Sequence, residues 1–327
     1  MGGHSPAQFD QVCAAGILMY FTSAAARSSI WECCMTQYVL TAEGPSGRGL
    51  VAGLATAAAA QSCNILDSAQ FVDTESNRFF LRMLLRDEAA VGPHNLSAAF
   101  DAAAAPLCLQ AQVHDAARKS RIAVMVSRFG HCLNDLLYRS RIGALPVEIA
   151  CVISNHDLYG DTVREQGLAF HHIPVKDDKA AAERRQMQVL RDCGIELVVL
   201  ARYMQVLSAE MCHEMSGRII NIHHSFLPSF KGAVPYQQAH EKGVKLIGAT
   251  AHYVTEDLDE GPIIEQDVVR VTHAQSMGDF VSLGRDVEAM VLARAVHAHA
   301  THRVFLNGQR TIVFPPSPGS FVSERMG

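Results

Sequence analysis

The chain has 327 residues, and several common classes find no support in them. No apolar run approaches the roughly 20 residues that a membrane-spanning helix needs. The formal charge is −5, so no basic field draws nucleic acid. Nine cysteines are present without a single C-x-x-C pair, and the adjacent Cys33 and Cys34 suit neither a disulfide framework nor a zinc site. The sixteen histidines are scattered, with no H-x-x-x-H spacing. His171, His172, His224 and His252, taken with Asp257 or Asp259, therefore make no zinc ligand set, and no metal is expected. Residues 1–34 carry only His4 and Arg27 as basic side chains. That is too little for the charged start of a secretory signal or for an Arg-rich transit peptide.

What is present describes a folded protein. Hydrophobic residues make up 49% and charged residues 19%, enough for a core. The length suggests two domains. Cys63, Cys132, Cys151 and Cys193 stand among apolar neighbours and read as buried thiols, which favours a reducing, cytoplasmic setting. An organellar address would follow only if residues 1–34 served as a targeting segment.

Four stretches are expected along the chain. Residues 1–34 are Ala- and Ser-rich without period and read as a disordered extension. Residues 35–115 form a small α+β unit. A strand over 38–42 leads to a turn over 44–49, then to an Ala-rich helix over 50–61 with Leu50, Leu54 and Ala58 on one face. Strands over 64–71 and 78–85 follow, and a helix over 97–110 breaks near Pro106. One more strand would complete a regulatory fold with helices on one face of an antiparallel sheet. After a polar join at 115–120, residues 121–314 change character. Short apolar runs over 122–126, 147–154, 196–200 and 218–222 alternate with helices over 132–142 and 179–193, the pattern of a doubly wound, mostly parallel sheet. Strands over 248–254 and 263–271 and a long helix over 276–302 close the unit. Residues 315–327 read as a flexible tail.

The chemistry concentrates in Asn221-Ile222-His223-His224-Ser225-Phe226-Leu227-Pro228. It sits at the carboxyl end of an expected strand, where open α/β sheets bind ligands. Strand alternation sends Asn221 and His223 to one side. An amide can polarise a carbonyl oxygen, while an imidazolium can stabilise an oxyanion and protonate a leaving nitrogen. Thr255-Glu256-Asp257-Leu258-Asp259-Glu260-Gly261-Pro262 places four acids in five residues of a loop. One of them can charge and orient the His or take a proton from water. The blander reading is a hydrogen-bonded structural pair and solvated loop charges, and for Glu256, Asp257 and Glu260 that reading is favoured. Cys132 has no base partner in view and reads as packing. The Lys231-Gly232 pair reads as a turn rather than a contact to substrate.

These blocks resemble the formyltransferase-fold family and, within it, the formyltetrahydrofolate deformylases. The resemblance is carried by NIHHSFLPSFKGA, PYQQAHEKGVKLIGATAHYVTEDLDEGPIIEQDVVRV, VSRFGHCLNDLLYR, ISNH, FHHIPV, LVVLARYMQVLS and LGRDVE, and VLTAEGPSGRGLVAGLA and CNILDSAQF resemble the family's amino-terminal ACT domain. The resemblance implies a ferredoxin-like ACT domain followed by a Rossmann-like formyltransferase domain. It implies a homo-oligomeric hydrolase that releases formate for purine synthesis from 10-formyltetrahydrofolate, with no cofactor. Asn221, His223 and Asp259 match the catalytic positions. Tyr203, Met204, Gln205, Leu207, Val254 and Thr255 match the segments that hold the folate. His131 either lines the water and substrate pocket or starts a helix. Gly47, Gly49 and Asn64 match positions where ACT domains hold an amino-acid effector such as glycine or methionine, although Ser46 stands where an acid is common. The first βα loop, Ser127-Arg128-Phe129-Gly130-His131-Cys132-Leu133, has one glycine. Related transformylases use several there to hold a phosphate, so the loss favours water as acceptor. The alternatives are transfer to an amine acceptor, or a non-catalytic module that senses folate or an amino acid.

Overall fold

A computed structural model of the chain describes residues 36–176, 178–227 and 235–316. The expected extension at 1–34, the Lys231-Gly232 turn and most of the expected tail lie outside them.

The first sheet contains β1 (Gln37–Pro45), β2 (Cys63–Asp73), β3 (Arg78–Asp87) and β4 (Gln110–Asp115), in the order β2-β3-β1-β4, with every pair antiparallel. Helices α1 (Leu50–Ala60) and α2 (Pro93–Ala104) cover one face. Leu50, Leu54 and Ala58 turn inward from α1, as their spacing predicts, to meet Leu81, Met83 and Leu85 of β3. Two of the shifted boundaries have a clear physical reason. β1 runs through Pro45 into the expected turn, because a proline at a strand's last position costs no internal ladder bond. α2 begins at Pro93, not 97: a proline at the first helical position gives up an N–H that has no partner there anyway. Pro106 then confines the chain to a 3-10 turn, Ala105–Leu107.

β3 is apolar on both faces apart from Arg82, because both faces are covered. Phe80 points away from the helices and packs with Phe305 and Phe314. These residues belong to a late hairpin, β12 (Val304–Asn307) and β13 (Arg310–Val313), and the segment after it, none of which the periodicity marked. Arg82 Nε donates to the Thr301 carbonyl at 3.1 Å, and Asn307 Nδ2 donates to Asp73 at 2.6 Å. The His114 ring stacks on His302 with centroids 3.7 Å apart. Burial, with positive neighbours, pushes His302 down to about 3, so this close stack holds no paired cations.

The second sheet has seven strands: β5 (Ser120–Val126), β6 (Val147–Ser154), β7 (Ala169–His172), β8 (Leu197–Leu200), β9 (Ile219–His223), β10 (Leu246–Tyr253) and β11 (Ile263–Arg270). Their order is β11-β10-β9-β8-β5-β6-β7. β6, β7, β8 and β9 join β5 in parallel, and β10 and β11 extend the sheet antiparallel. On one face lie α3 (His131–Arg141) and α8 (Met277–Ala300), packed on Ile122, Val124 and Val126. On the other lie α5 (Lys179–Asp192) and α6 (Ala209–Glu214), packed on Ala123 and Met125. That double coverage is why these strands lack polar alternation. α8 starts from a capping box in which Ser276 and Asp279 satisfy each other's backbone N–H groups. The short helices α4 (Gly160–Glu165), α6 and α7 (Pro235–Glu241), and the four-residue β7, escaped the sequence reading because each is too brief to show a period. Cys63, Cys132 and Cys151 are buried as expected, whereas Cys193 is only half-buried, because it caps the exposed end of α5.

Candidate active site

A crevice of about 360 Å³ opens at the carboxyl ends of β8 and β9. β8 and β5 flank the point where the strand order reverses, the usual ligand position in such sheets. Asn221 and His223, two residues apart on β9, both line it, as does Asp259 from the loop after β10. The alternation argument therefore holds in space. Of the four acids in that loop, Asp259 alone is half-buried; Glu256, Asp257 and Glu260 are exposed, the first two at the crevice's rim.

The loop's inward turn has a local cause. Its neck closes where Tyr253 N–H donates to the Pro262 carbonyl at 2.9 Å. A Cβ on Gly261 would lie 1.8 Å from the Tyr253 carbonyl oxygen, so only glycine fits there. Asp259 itself takes a left-handed backbone, φ 58°. That conformation is uncommon for a side-chain-bearing residue and clusters at functional sites.

Asp259 Oδ2 lies 3.2 Å from His223 Nδ1, and its Oδ1 lies 3.7 Å from His252 Nε2. Burial pushes the Asp259 carboxyl up, but the hydrogen bond from His223 overrides this. The carboxyl is held well below the usual range and stays ionised at neutral pH. Because Nδ1 of His223 is spent on Asp259, Nε2 is its remaining polar atom, and that atom is buried without a hydrogen-bond partner among the described residues. His252, which carried only a rejected metal reading in the sequence, has a different task. Its Nδ1 donates to the Tyr253 carbonyl at 2.8 Å, so its Nε2 can accept from the Asn221 amide at 3.2 Å. This fixes the amide at the crevice wall.

Tyr203, Met204, Gln205 and Leu207 wall the crevice from one side, and Val254 and Thr255 from the other. Sequence reasoning missed the residues that hold the first wall. Ser127 Oγ accepts from Met204 N–H at 3.0 Å and donates to Asn155 at 2.8 Å. Gln186 Nε2 donates to the Tyr203 hydroxyl at 2.8 Å, and Glu183 accepts from Ser208 N–H at 3.0 Å. Both come from α5, whose buried polar positions were the available signal. Behind His223, Thr250 Oγ1 accepts from Leu227 N–H and from Gln266 Nε2 and donates to the Ser225 carbonyl, which anchors the segment after β9.

His131 does not line this crevice. It opens α3 and meets Glu288 at 2.8 Å in an adjoining pocket. Tyr236 donates to the same carboxylate at 2.6 Å, and Arg202 Nε lies 3.4 Å away. Burial raises Glu288, yet these donors and the Arg202 charge hold it below its usual value. A Cβ on Gly284 would lie 2.2 Å from the Tyr236 ring, so glycine lets that phenol reach α8. Cys132, though near enough to chelate with His131 and Glu288, is fully buried with its thiol pushed well up by burial. Glu288 is hydrogen-bonded to His131 and Tyr236 and ion-paired with Arg202, so its carboxylate is engaged on both oxygens and reads as structural.

Gly47, Gly49 and Asn64 are not brought together within one chain. Asn64 pairs with Arg86, which faces Gln37 at the start of β1, while Gly47 and Gly49 follow Pro45 at its other end. Gly49 caps α1 with φ 80°. Among the described residues, no helix is long and apolar enough to cross a membrane.

Residues 120–296 match the family model described as formyl transferase. A formyltetrahydrofolate deformylase of Corynebacterium sp. (strain P-1) is 46% identical over 85% of this chain and 98% of that protein. The crystal structure of a formyltetrahydrofolate deformylase from Burkholderia mallei matches with TM-score 0.82 at 46% identity, covering 86% of this chain and all of that one, 100%. A glycinamide ribonucleotide transformylase from Symbiobacterium toebii matches with TM-score 0.57 at 33% identity, over 60% of this chain and 95% of that one.

Proposed function

This chain belongs to the formyl transferase family and, within it, to the formyltetrahydrofolate deformylases, and from that premise we propose that it hydrolyses 10-formyltetrahydrofolate to formate and tetrahydrofolate at the Asn221, His223 and Asp259 crevice. The observation that carries the reading is the unspent Nε2 of His223, buried beside an ionised Asp259 and the fixed amide of Asn221.

The folate lies between the 203–207 wall and the 254–255 wall, its formyl oxygen toward the Asn221 amide and His223 Nε2. Asp259 holds a water against the formyl carbon and takes its proton as the C–O bond forms. The oxyanion is stabilised by the Asn221 N–H and by imidazolium Nε2–H. The C–N bond then breaks as His223 passes that proton to the leaving nitrogen. The protons left on Asp259 and on formic acid restore the imidazolium and release one to solvent. A carboxyl as weakly basic as Asp259 suits a group that orients water and steadies the imidazolium more than one that holds a proton for long. None of these steps calls for a metal or a redox group; folate is the substrate.

Transfer to an amine is the competing chemistry. Purified protein given 10-formyltetrahydrofolate alone should release formate at a steady rate. A requirement for an added amine would turn the assignment to a transferase.

The two units divide the work between the ACT-like sheet and the catalytic sheet, in a cytoplasmic homo-oligomer. An amino-acid effector held by Gly47, Gly49 and Asn64 would have to lie between two copies, since one chain places them at opposite ends of its sheet. Equilibrium dialysis with glycine and with methionine tests this; no binding of either leaves the unit a purely structural role.

A further inference from the structure

Away from the crevice, at the opposite edge of the catalytic sheet, three soft donors converge. Cys151 lies on β6, His171 on the edge strand β7, and Cys193 caps α5. One ligand atom from each falls within 4.8 Å of the others. The register explains the meeting. Cys151 pairs with Ala169 across the β6–β7 ladder, so His171, two residues on, turns to the same face, and the end of α5 lies over that face. His171 Nε2 is buried and has no hydrogen-bond partner among the described residues. Cys151 is fully buried, and Cys193 is half-buried, so the cluster has a closed back and a route to solvent.

We propose that Cys151, His171 and Cys193 form a binding site for a soft d10 cation of the zinc(II) class, separate from catalysis. Two thiolates and an imidazole are the donors such ions prefer over carboxylates or water. Each thiol loses its proton to solvent as its metal–sulfur bond forms, so two thiolates balance the charge of a divalent ion. A tetrahedral ion would keep its fourth position for water at the half-open side. Without an ion, burial and the neighbouring Cys193 push the Cys151 thiol up to about 12, which argues against a nucleophilic role.

The site has a structural use. β7 is only four residues long, pairs with β6 alone and forms the sheet's edge. An ion held by β6, β7 and α5 would clip that edge to the helix covering it, and binding to the native chain alone raises its unfolding temperature.

The test uses the reduced full-length chain, zinc(II) and cobalt(II). Wild type should bind about one zinc ion per chain with a rise in unfolding temperature. Its cobalt form should show thiolate-to-metal charge-transfer absorption. Cys193→Ser and His171→Gln should each lose this stoichiometric ion, the thermal shift and, for Cys193→Ser, most of the thiolate band. Their formate release should match wild type, which shows that the chain has folded. Cys33→Ser with Cys34→Ser should bind as wild type does. The assignment falls if Cys193→Ser and His171→Gln bind zinc as wild type does, if the Cys33 and Cys34 changes remove the signal instead, or if reduced wild type takes up no zinc.

Discussion

Two carboxylates, Asp259 and Glu288, stand in adjoining pockets, each against a histidine and each held below its usual range, yet they do different work. Asp259 sits on a surface loop with a left-handed backbone and spends itself on a His223 whose other ring nitrogen stays unpaired. Glu288 sits in the middle of a 24-residue helix, nearly inaccessible, with His131, Tyr236 and Arg202 all turned on it. Low basicity is common to both and distinguishes neither. What separates them is the partner histidine: His223 keeps a buried Nε2 without a partner among the described residues, at the wall of the larger of the two pockets, whereas His131 spends its Nε2 on Glu288.

The sharpest way to break the comparison is to remove each charge in turn. Asp259→Asn should lower kcat/KM by roughly 10²–10⁴-fold with only a modest fall in unfolding temperature, because its loop is half-exposed and local. A near-wild-type rate would remove Asp259 from the chemistry. Glu288→Ala should do the reverse. It leaves Arg202 buried without its counter-charge and Tyr236 without its acceptor and should cost about 3–5 kcal/mol by urea denaturation, while the rate per folded molecule stays near wild type. A stable, inactive Glu288→Ala would make the second pocket catalytic after all.

A smaller effect is expected at Thr250, which touches no substrate in this scheme but anchors the segment after His223. Thr250→Val strips the acceptor from Leu227 N–H and from Gln266, and should cost about 1–3 kcal/mol. A rise in KM larger than the fall in kcat would show that the anchor positions substrate.

The smallest effect is in pH. Both carboxyls are depressed in the folded chain, from ordinary values of 3.8 and 4.5. Their stabilisation is therefore fully present above those unfolded-state values and is lost as pH falls through the lower folded values, where the unfolded chain binds more protons. Denaturation midpoints in acid should decline less steeply in Asp259→Asn than in wild type, and the two should run parallel above the carboxylate range. Equal slopes in acid would mean that the His223 contact does not hold the carboxyl down.

Much of the catalytic crevice was legible because it is local. Asn221 and His223 share a face through strand period alone, and the acidic loop stands out by its run of four acids. The residues that fix those groups were not legible. His252 reaches Asn221 across a strand pair thirty-one positions away, and Gln186 and Glu183 reach the 203–208 wall from a helix on one face of the sheet. The hairpin of β12 and β13 was missed for a related reason. Its apolar residues have no period of their own and make sense only against Phe80.

By itself the sequence determined which segments become buried strands and helices, and that an amide and an imidazole leave one strand on one side, because backbone periodicity is a property of neighbours along the chain. Tertiary structure alone decided which of four loop acids turned inward, which histidine kept a nitrogen free, and that Cys151, His171 and Cys193 meet at an edge. Those outcomes depend on distances between residues far apart in the chain, which packing sets and no local pattern encodes.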